Sequence, residues 1–219
     1  MLKMDSHIHS EYSPDSSSKI DDILNVAKNR NIDVIAISDH NTVDGTSEVM
    51  KKTRNTDILA IPSIEISTSL GHMLGFGCEE NVPRDLSPED TVDRIHDLGG
   101  LAIVPHPYCF YRHGLLCKSD YKDLKIDAIE TKNARFIVGY CNNKAKNLSK
   151  KENIPSLGAS DAHYYKFVGD CYSLVKAEKD IDSILKAIKK GNVESQGKGT
   201  SNILLSKYLF EKNVLKKFD

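Results

Sequence analysis

Apolar positions along the chain follow two spacings in turn. Residues 2–8 (LKMDSHI) read as a first strand. Residues 32–38 (IDVIAIS) form a β-branched apolar run of the kind that is buried on both faces. Between them, Ile20, Ile23, Leu24 and Ala27 recur at helical spacing, which predicts a helix over 19–30 with Ser18 as its cap. The alternation continues with a helix over 42–52, a strand region over 58–67 made irregular by Pro62, and a strand over 72–77. The segment SPEDTVDRIHDLGG at 87–100 opens like a capping box and stops on glycine, so it predicts a helix. Strands at 101–107, 126–130 and 154–160 and helices at 139–151 and 181–190 complete the series. Leu204, Leu205, Tyr208, Leu209 and Val214 predict one or two short helices in the tail, residues 200–219. Repeated strand-then-helix units with buried strands imply a parallel sheet covered by helices. The pattern favours one domain over 1–219, with a closed or nearly closed barrel over about 1–195. An open doubly wound sheet is the second choice.

Composition narrows the function classes. The 219 residues are 39% hydrophobic and 28% charged, enough apolar content for a packed core. Thirty basic against 31 acidic residues leave a formal charge of −1, which does not suggest a polybasic nucleic-acid or membrane binder. No apolar run approaches the roughly 18 residues a membrane span needs, and MLKMDSHIHS has no signal core. The five cysteines, Cys78, Cys109, Cys117, Cys141 and Cys171, are scattered without a C-x-x-C pair, as expected of reduced thiols in a cytoplasmic protein.

The histidines carry the chemistry. Six of the eight lie at ends of these strands: His7, His9, His40, His72, His106 and His163. Asp15, Glu65 and Asp161 take matching places, and strand ends on one face of a barrel converge in space. Side chains two apart on a strand share a face, so the His7-x-His9 pair can chelate one ion or serve two. A single strand-end histidine is ordinarily hydrogen-bonded, but six together with an uncompensated Glu65 in an apolar strand point to metal. Imidazole and carboxylate without thiolate suit Zn, Mn or Fe. Nine donors exceed one tetrahedral ion and match two or three divalent ions, with Glu65 bridging. His96, within a helix, and His113, in a loop, fall outside this set.

The segments MDSHIHSEYSPDS, AISDHNTVDG, IPSIEIS, GHMLGFG, IVPHP and GASDAH, in this order from Met4 to His163, resemble the PHP (polymerase and histidinol phosphatase) family. The resemblance is to its small stand-alone phosphoesterases. It implies a distorted (β/α)7 barrel with up to three metals on the C-terminal face. It also implies a division of ligands. His7 and His9 match the opening pair, completed by Asp161. Asp15, His40 and His163 match a second ion's ligands. His72 and His106 match a third ion's, sharing Glu65. Asn41 departs from the Asp that many relatives carry after the D-H pair. Only 33 residues separate His72 from His106, so the inserted domain of some PHP nucleotidases and exonucleases is missing and a more open site is expected.

These features predict a metal-dependent hydrolase of phosphate esters acting through a metal-bound hydroxide, with Glu65 and Asp161 as catalytic residues. Arg112, Arg135 and Lys166 lie in loops on the predicted active face and are candidates to bind phosphate, with Lys132 and Asn133 as weaker ones. The expected partner is a small phosphorylated substrate or nucleotide, with no obligate protein partner and no membrane. A nuclease acting on nucleic-acid ends is the alternative, and Tyr108, Phe110 and Tyr111 beside Arg112 are the feature that favours it. Amide hydrolysis and a non-catalytic metal-binding module fit the complete ligand set less well.

Overall fold

The computed structural model describes residues 1–120, 122, 124–135, 139–201 and 206. The expected tail helices fall outside the described residues apart from Thr200, Ser201 and Ser206. Among the described residues the elements run β1 (Leu2–Ile8), α1 (Ile20–Asn29), β2 (Val34–Ile37), α2 (Asp44–Thr53), β3 (Leu59–Ala60), β4 (Ser63–Ser67), β5 (His72–Phe76), α3 (Pro88–Asp97), β6 (Leu101–Val104), β7 (Ala128–Asn133), α4 (Tyr140–Glu152), β8 (Ser156–Ala159), β9 (Cys171–Val175), α5 (Ile181–Lys189) and β10 (Val193–Gly197).

The strands form two five-stranded sheets, ordered β10-β9-β1-β2-β3 and β4-β5-β6-β7-β8. The arrangement is mixed α/β, and among the described residues the strands of the expected distorted (β/α)7 barrel do not pair as one closed ladder. β5 runs antiparallel to both β4 and β6, and β9 runs antiparallel to both β1 and β10. The local reason is chain length. Only residues 68–71 join β4 to β5, too few for the crossover that a parallel return requires. The strand region at 58–67 also divides, with Ile61 and Pro62 between β3 and β4.

Alternation along each strand sorts three packed clusters. Val34 and Ala36 of β2, Leu74 and Phe76 of β5, and Leu101 and Ile103 of β6 join Met4, Ala128, Leu157 and Val175 in one interior shared by both sheets, with α5 packed on it through Ile184, Ala187 and Ile188. The intervening Ile35 and Ile37 pack outward with Ile20, Ile23 and Ala27 of α1 and Val49 of α2. Ile64, Ile66, Met73, Ala102 and Val104 do the same with Val92 and Ile95 of α3 and Leu148 of α4. The Ser87 cap of α3 is present, its hydroxyl accepting from Asp90 N at 3.0 Å. The Ser18 cap is not. Lys19 occupies the N-cap of α1 without a side-chain bond, and the Ser18 hydroxyl is buried without a partner.

Two isolated parallel bridges link the sheets, Ile8↔Ala162 and His40↔Glu65. Ile8 sits between His7 and His9, and Ala162 between Asp161 and His163. Both seams are therefore made of the segments that carry the histidine and carboxylate set.

Candidate metal centre

Local irregularities in two strands aim the buried side chains inward. Along β1 the pairing passes from Asp5↔Ile35 to Ile8↔Ile37, so three steps on β1 match two on β2. The extra residue lets Met4 and His7 both face the interior while Ile8 packs outward. A like shift in β7 between Glu130 and Lys132 places Glu130 and Asn133 in the same buried site. In β4 no shift is needed. Ile64 and Ile66 face the helices, so Glu65 between them is directed inward. His106 and Asp161 have φ of +30° and +52°, left-handed values uncommon outside glycine. Such strain concentrates at functional positions.

Glu65, 1% exposed, is the hub of the site. Its Oε1 lies 2.9 Å from His72 Nδ1 and 3.1 Å from His106 Nε2. Its Oε2 lies 3.3 Å from His7 Nε2, 3.2 Å from His9 Nε2 and 3.3 Å from His40 Nδ1. Five imidazoles thus meet one carboxylate. Asp15 Oδ2 stands 2.7 Å from His163 Nε2 and 3.6 Å from His40 Nε2. Asp161 Oδ1 stands 3.8 and 3.7 Å from the Nε2 atoms of His7 and His9. Every one of the nine residues picked out in the sequence is in this cluster.

The donor atoms fall into four groups able to hold an ion: His9, Asp15, His40 and His163; His7, Glu65 and His106; His7, His9 and Asp161; His40, Glu65 and His72. The division differs from the one the resemblance implies. His9 also joins the Asp15 group, and His72 and His106 contact Glu65 alongside different histidines.

The residues fit divalent ions on three observations. The Nε2 atoms of His7 and His9 face each other at 3.0 Å while their Nδ1 atoms are engaged elsewhere, by Glu130 at 2.8 Å and by Ser13 Oγ at 3.2 Å. Ring nitrogens held from behind in this way are the usual arrangement of metal-binding histidines. The Nδ1 atoms of His72 and His106 are buried without a hydrogen-bond partner, His72 Nδ1 being close to Glu65 but off the bonding direction. The third observation is electrostatic. Burial alone would lower the pKa of His7, yet Asp161, Glu65 and Glu130 outweigh it and hold His7 well above its ordinary value. Burial and His163 instead hold His9 well below its ordinary value, so the carboxylates concentrate negative charge beside the His7–His9 pair. Glu65 and Asp161 are held well below the carboxylate range. Burial opposes this, and His72, His7 and His40 prevail at Glu65, as Arg112, His7 and Arg135 do at Asp161.

Glu130 is the main residue that sequence reasoning missed. It is fully buried, takes His7 Nδ1, and accepts from His106 N at 2.9 Å and Asn133 Nδ2 at 2.9 Å. The signal was available, since a carboxylate in the apolar run AIE has the same feature that singled out Glu65. His113, left out of the ligand set, is in none of the four donor groups. It lies at the mouth of the pocket, its ring 5.2 Å from that of His72. His96 is elsewhere, paired with Asp127 at 2.7 Å. Asn41 has φ of +58°, which asparagine tolerates. Its amide bonds Ser67 N at 2.8 Å and Ser67 Oγ at 3.1 Å, and its backbone N donates to Glu65 O, so it pins the end of β4 beside the hub.

The cluster floors a pocket of about 600 Å³. Of the three cations expected on this face, Arg112 and Arg135 line it and Lys166 does not. The Lys166 ammonium lies over the rings of Tyr164 and Tyr165, 5.3 and 5.6 Å from their centroids. Arg135 Nη1 lies 2.7 Å from His163 Nδ1 and 3.5 Å from Asp161 Oδ1.

The family model described as PHP-associated matches residues 139–193. An uncharacterized protein of Methanocaldococcus jannaschii, MJ1587, is 38% identical over 164 residues, 69% of this chain and 93% of that one. Among solved structures, a two-domain protein from Bacteroides vulgatus containing a predicted PHP-like metal-dependent phosphoesterase superposes with a TM-score of 0.76 at 18% identity, over 90% of this chain. Endonuclease Q, solved with a 27-mer duplex bearing an abasic lesion at its active site, superposes with a TM-score of 0.69 at 20% identity, also over 90% of this chain. This chain spans 65% of the Bacteroides chain and 59% of Endonuclease Q, and at these identities the likeness is one of fold. The chain belongs to the PHP family. No described helix is long and apolar enough to cross a membrane.

Proposed function

We propose that this chain is a metal-dependent phosphoesterase that hydrolyses a phosphate mono- or diester of a small phosphorylated molecule or nucleotide. The observation that carries this reading is the meeting of five imidazoles on the buried Glu65 at the floor of an open pocket. His7, His9 and Asp161 would hold one ion, Asp15, His40 and His163 with His9 a second, and Glu65 would hold a further one with His7 and His106 or with His40 and His72. Zn, Mn and Fe suit these donors. Divalent ions held there would supply an acidified water and neutralise charge developing on the phosphate.

The chain's own residues do the rest. Glu130 and Ser13 fix the rings of His7 and His9. Burial of His7, His9, His106 and Asp161 keeps bulk water from the floor, which strengthens every charge interaction there. Arg135, on the pocket wall, places a guanidinium where a phosphate oxygen would enter.

A second reading, a nuclease acting on nucleic-acid ends, draws support from the exposed rings of Phe110 and Tyr111 in the loop that carries Arg112. Exposed rings beside a cationic pocket can stack bases. The fold likeness to Endonuclease Q points the same way. Assay of p-nitrophenyl phosphate, its bis-ester, nucleotides, sugar phosphates and short oligonucleotides in the presence of Mn²⁺ or Zn²⁺ separates the two. Turnover of the small esters supports the first reading. Turnover confined to oligonucleotides supports the second, and no turnover of any contradicts both.

A further inference from the structure

The loop after β6 turns sharply between His106 and Gly114 and returns Arg112 to the cluster. A Cβ on Gly114 would stand 2.6 Å from His106 O, so the turn is closed tightly against the strand end that carries His106. The Arg112 side chain is only 12% exposed. Its guanidinium lies against Asp161, with Nη2 donating to Oδ1 at 3.0 Å and Nη1 in an ion pair 2.5 Å from Oδ2 but off the bonding direction. A second donor, Asn133 Nδ2, reaches Oδ2 at 2.9 Å and also bonds Glu130 Oε2, the carboxylate that holds His7. Arg112 therefore meets both oxygens of Asp161, and their other neighbours differ. Oδ2 also takes Asn133 Nδ2. Oδ1 also faces the Nε2 atoms of His7 and His9 and, at 3.4 and 3.5 Å, His163 Nδ1 and Arg135 Nη1.

A carboxylate at a left-handed backbone position has no regular ladder to fix its direction, and rotation about its last torsion would swing both oxygens at once. A planar guanidinium meeting both oxygens fixes that plane, which a single ammonium cannot do. Buried and committed to Asp161, Arg112 is poorly placed to leave for a substrate phosphate, the role its place in the sequence suggested.

We propose that Arg112 is a positioning residue for Asp161, whose guanidinium fork turns Oδ1 toward the His7–His9 pair and thereby sets the affinity of the ion held there. The proposal rests on the reading that the cluster binds divalent ions, and it gives the loop of residues 107–113 control of metal retention.

The test compares wild type, Arg112→Ala, Arg112→Lys and Arg112→Gln, each stripped of metal. Titration with Mn²⁺ or Zn²⁺ against a chromogenic chelator gives the affinity of each ion. Melting of the metal-free proteins reports folding, and kinetics on p-nitrophenyl phosphate at saturating metal give KM. Arg112→Ala should weaken one ion by about ten- to a hundredfold, the range for loss of a ligand's hydrogen-bond partner, and leave KM within about twofold. Arg112→Lys should recover only part of the affinity. If Arg112→Ala does not fold, Arg112→Lys and Arg112→Gln carry the test, and both should weaken the same single ion. Unchanged metal affinity with a raised KM would overturn the proposal and return Arg112 to the substrate. Full recovery of affinity by lysine would overturn the requirement for the fork. Wild type that binds no ion would fail before any substitution is compared, and would remove the metal reading itself.

Discussion

At the scale of single residues, the arrangement around Glu65 explains why a carboxylate is tolerated in an otherwise apolar strand. Its charge is matched by five ring nitrogens and not by solvent. Glu65→Gln keeps the shape and removes the charge. It should lower phosphoesterase activity by about a hundredfold and reduce the metal retained per chain, measured by kinetics and elemental analysis together. Activity within a few-fold of wild type at saturating metal would argue that Glu65 is not shared between ions. Glu130 touches no pocket solvent, so Glu130→Gln tests orientation alone. It should weaken metal binding by about ten- to a hundredfold through release of His7. The thiols give an independent check on packing. Burial pushes Cys78 up to about 11 and Cys171 up to about 12, whereas Cys117 is exposed. In the native protein at pH 8 a thiol reagent should therefore modify Cys117 and spare Cys78 and Cys171, and denaturant should release all five. Rapid reaction of all five without denaturant would contradict the packing. The clustered residues were legible because most of them interrupt, open or close an apolar strand, while Asp15 follows the first strand in a turn. The contact of Arg112 with Asp161 was not, because sequence distance from His106 does not reveal that the loop doubles back onto Asp161.

At the scale of elements, the strands and helices with strong periodicity were legible and those without it were not. β9 and β10 were not anticipated. CYSLV alternates buried and half-buried positions, and VESQG has no fully buried residue, so neither presents an apolar run. Their position follows from packing. β8 lies so close to β9 that a Cβ on Gly158 would stand 2.4 Å from Tyr172 O. Gly158→Ala should force the strands apart and destabilise the fold by about 1–3 kcal/mol in denaturant unfolding. An unchanged midpoint would show that β8 can shift freely. The α3 cap offers a gentler probe. Ser87→Ala removes the acceptor for Asp90 N and should cost about 1 kcal/mol with no change in metal affinity, since α3 contributes no ligand.

At the scale of the whole molecule, the two sheets share one apolar interior and meet at two bridges set among the ligand residues. Strand direction is invisible to hydrophobic pattern, so the pairing of the described strands as two mixed sheets was not legible in the sequence. The convergence of strand ends survived that difference, since it needs the polar ends of β1, β4, β6 and β8 to meet, not an unbroken sheet. Ions bound at the seams would tie one sheet to the other and, binding the folded chain alone, would raise its melting temperature. The most direct test of the account is the metal content of protein purified without chelator, followed through chelation and reconstitution. The account predicts two or three divalent ions per chain, lost on chelation together with phosphoesterase activity and several degrees of melting temperature, and regained with both on adding Mn²⁺ or Zn²⁺. Protein that carries no ion, takes none up on reconstitution and melts at the same temperature with or without metal would contradict it.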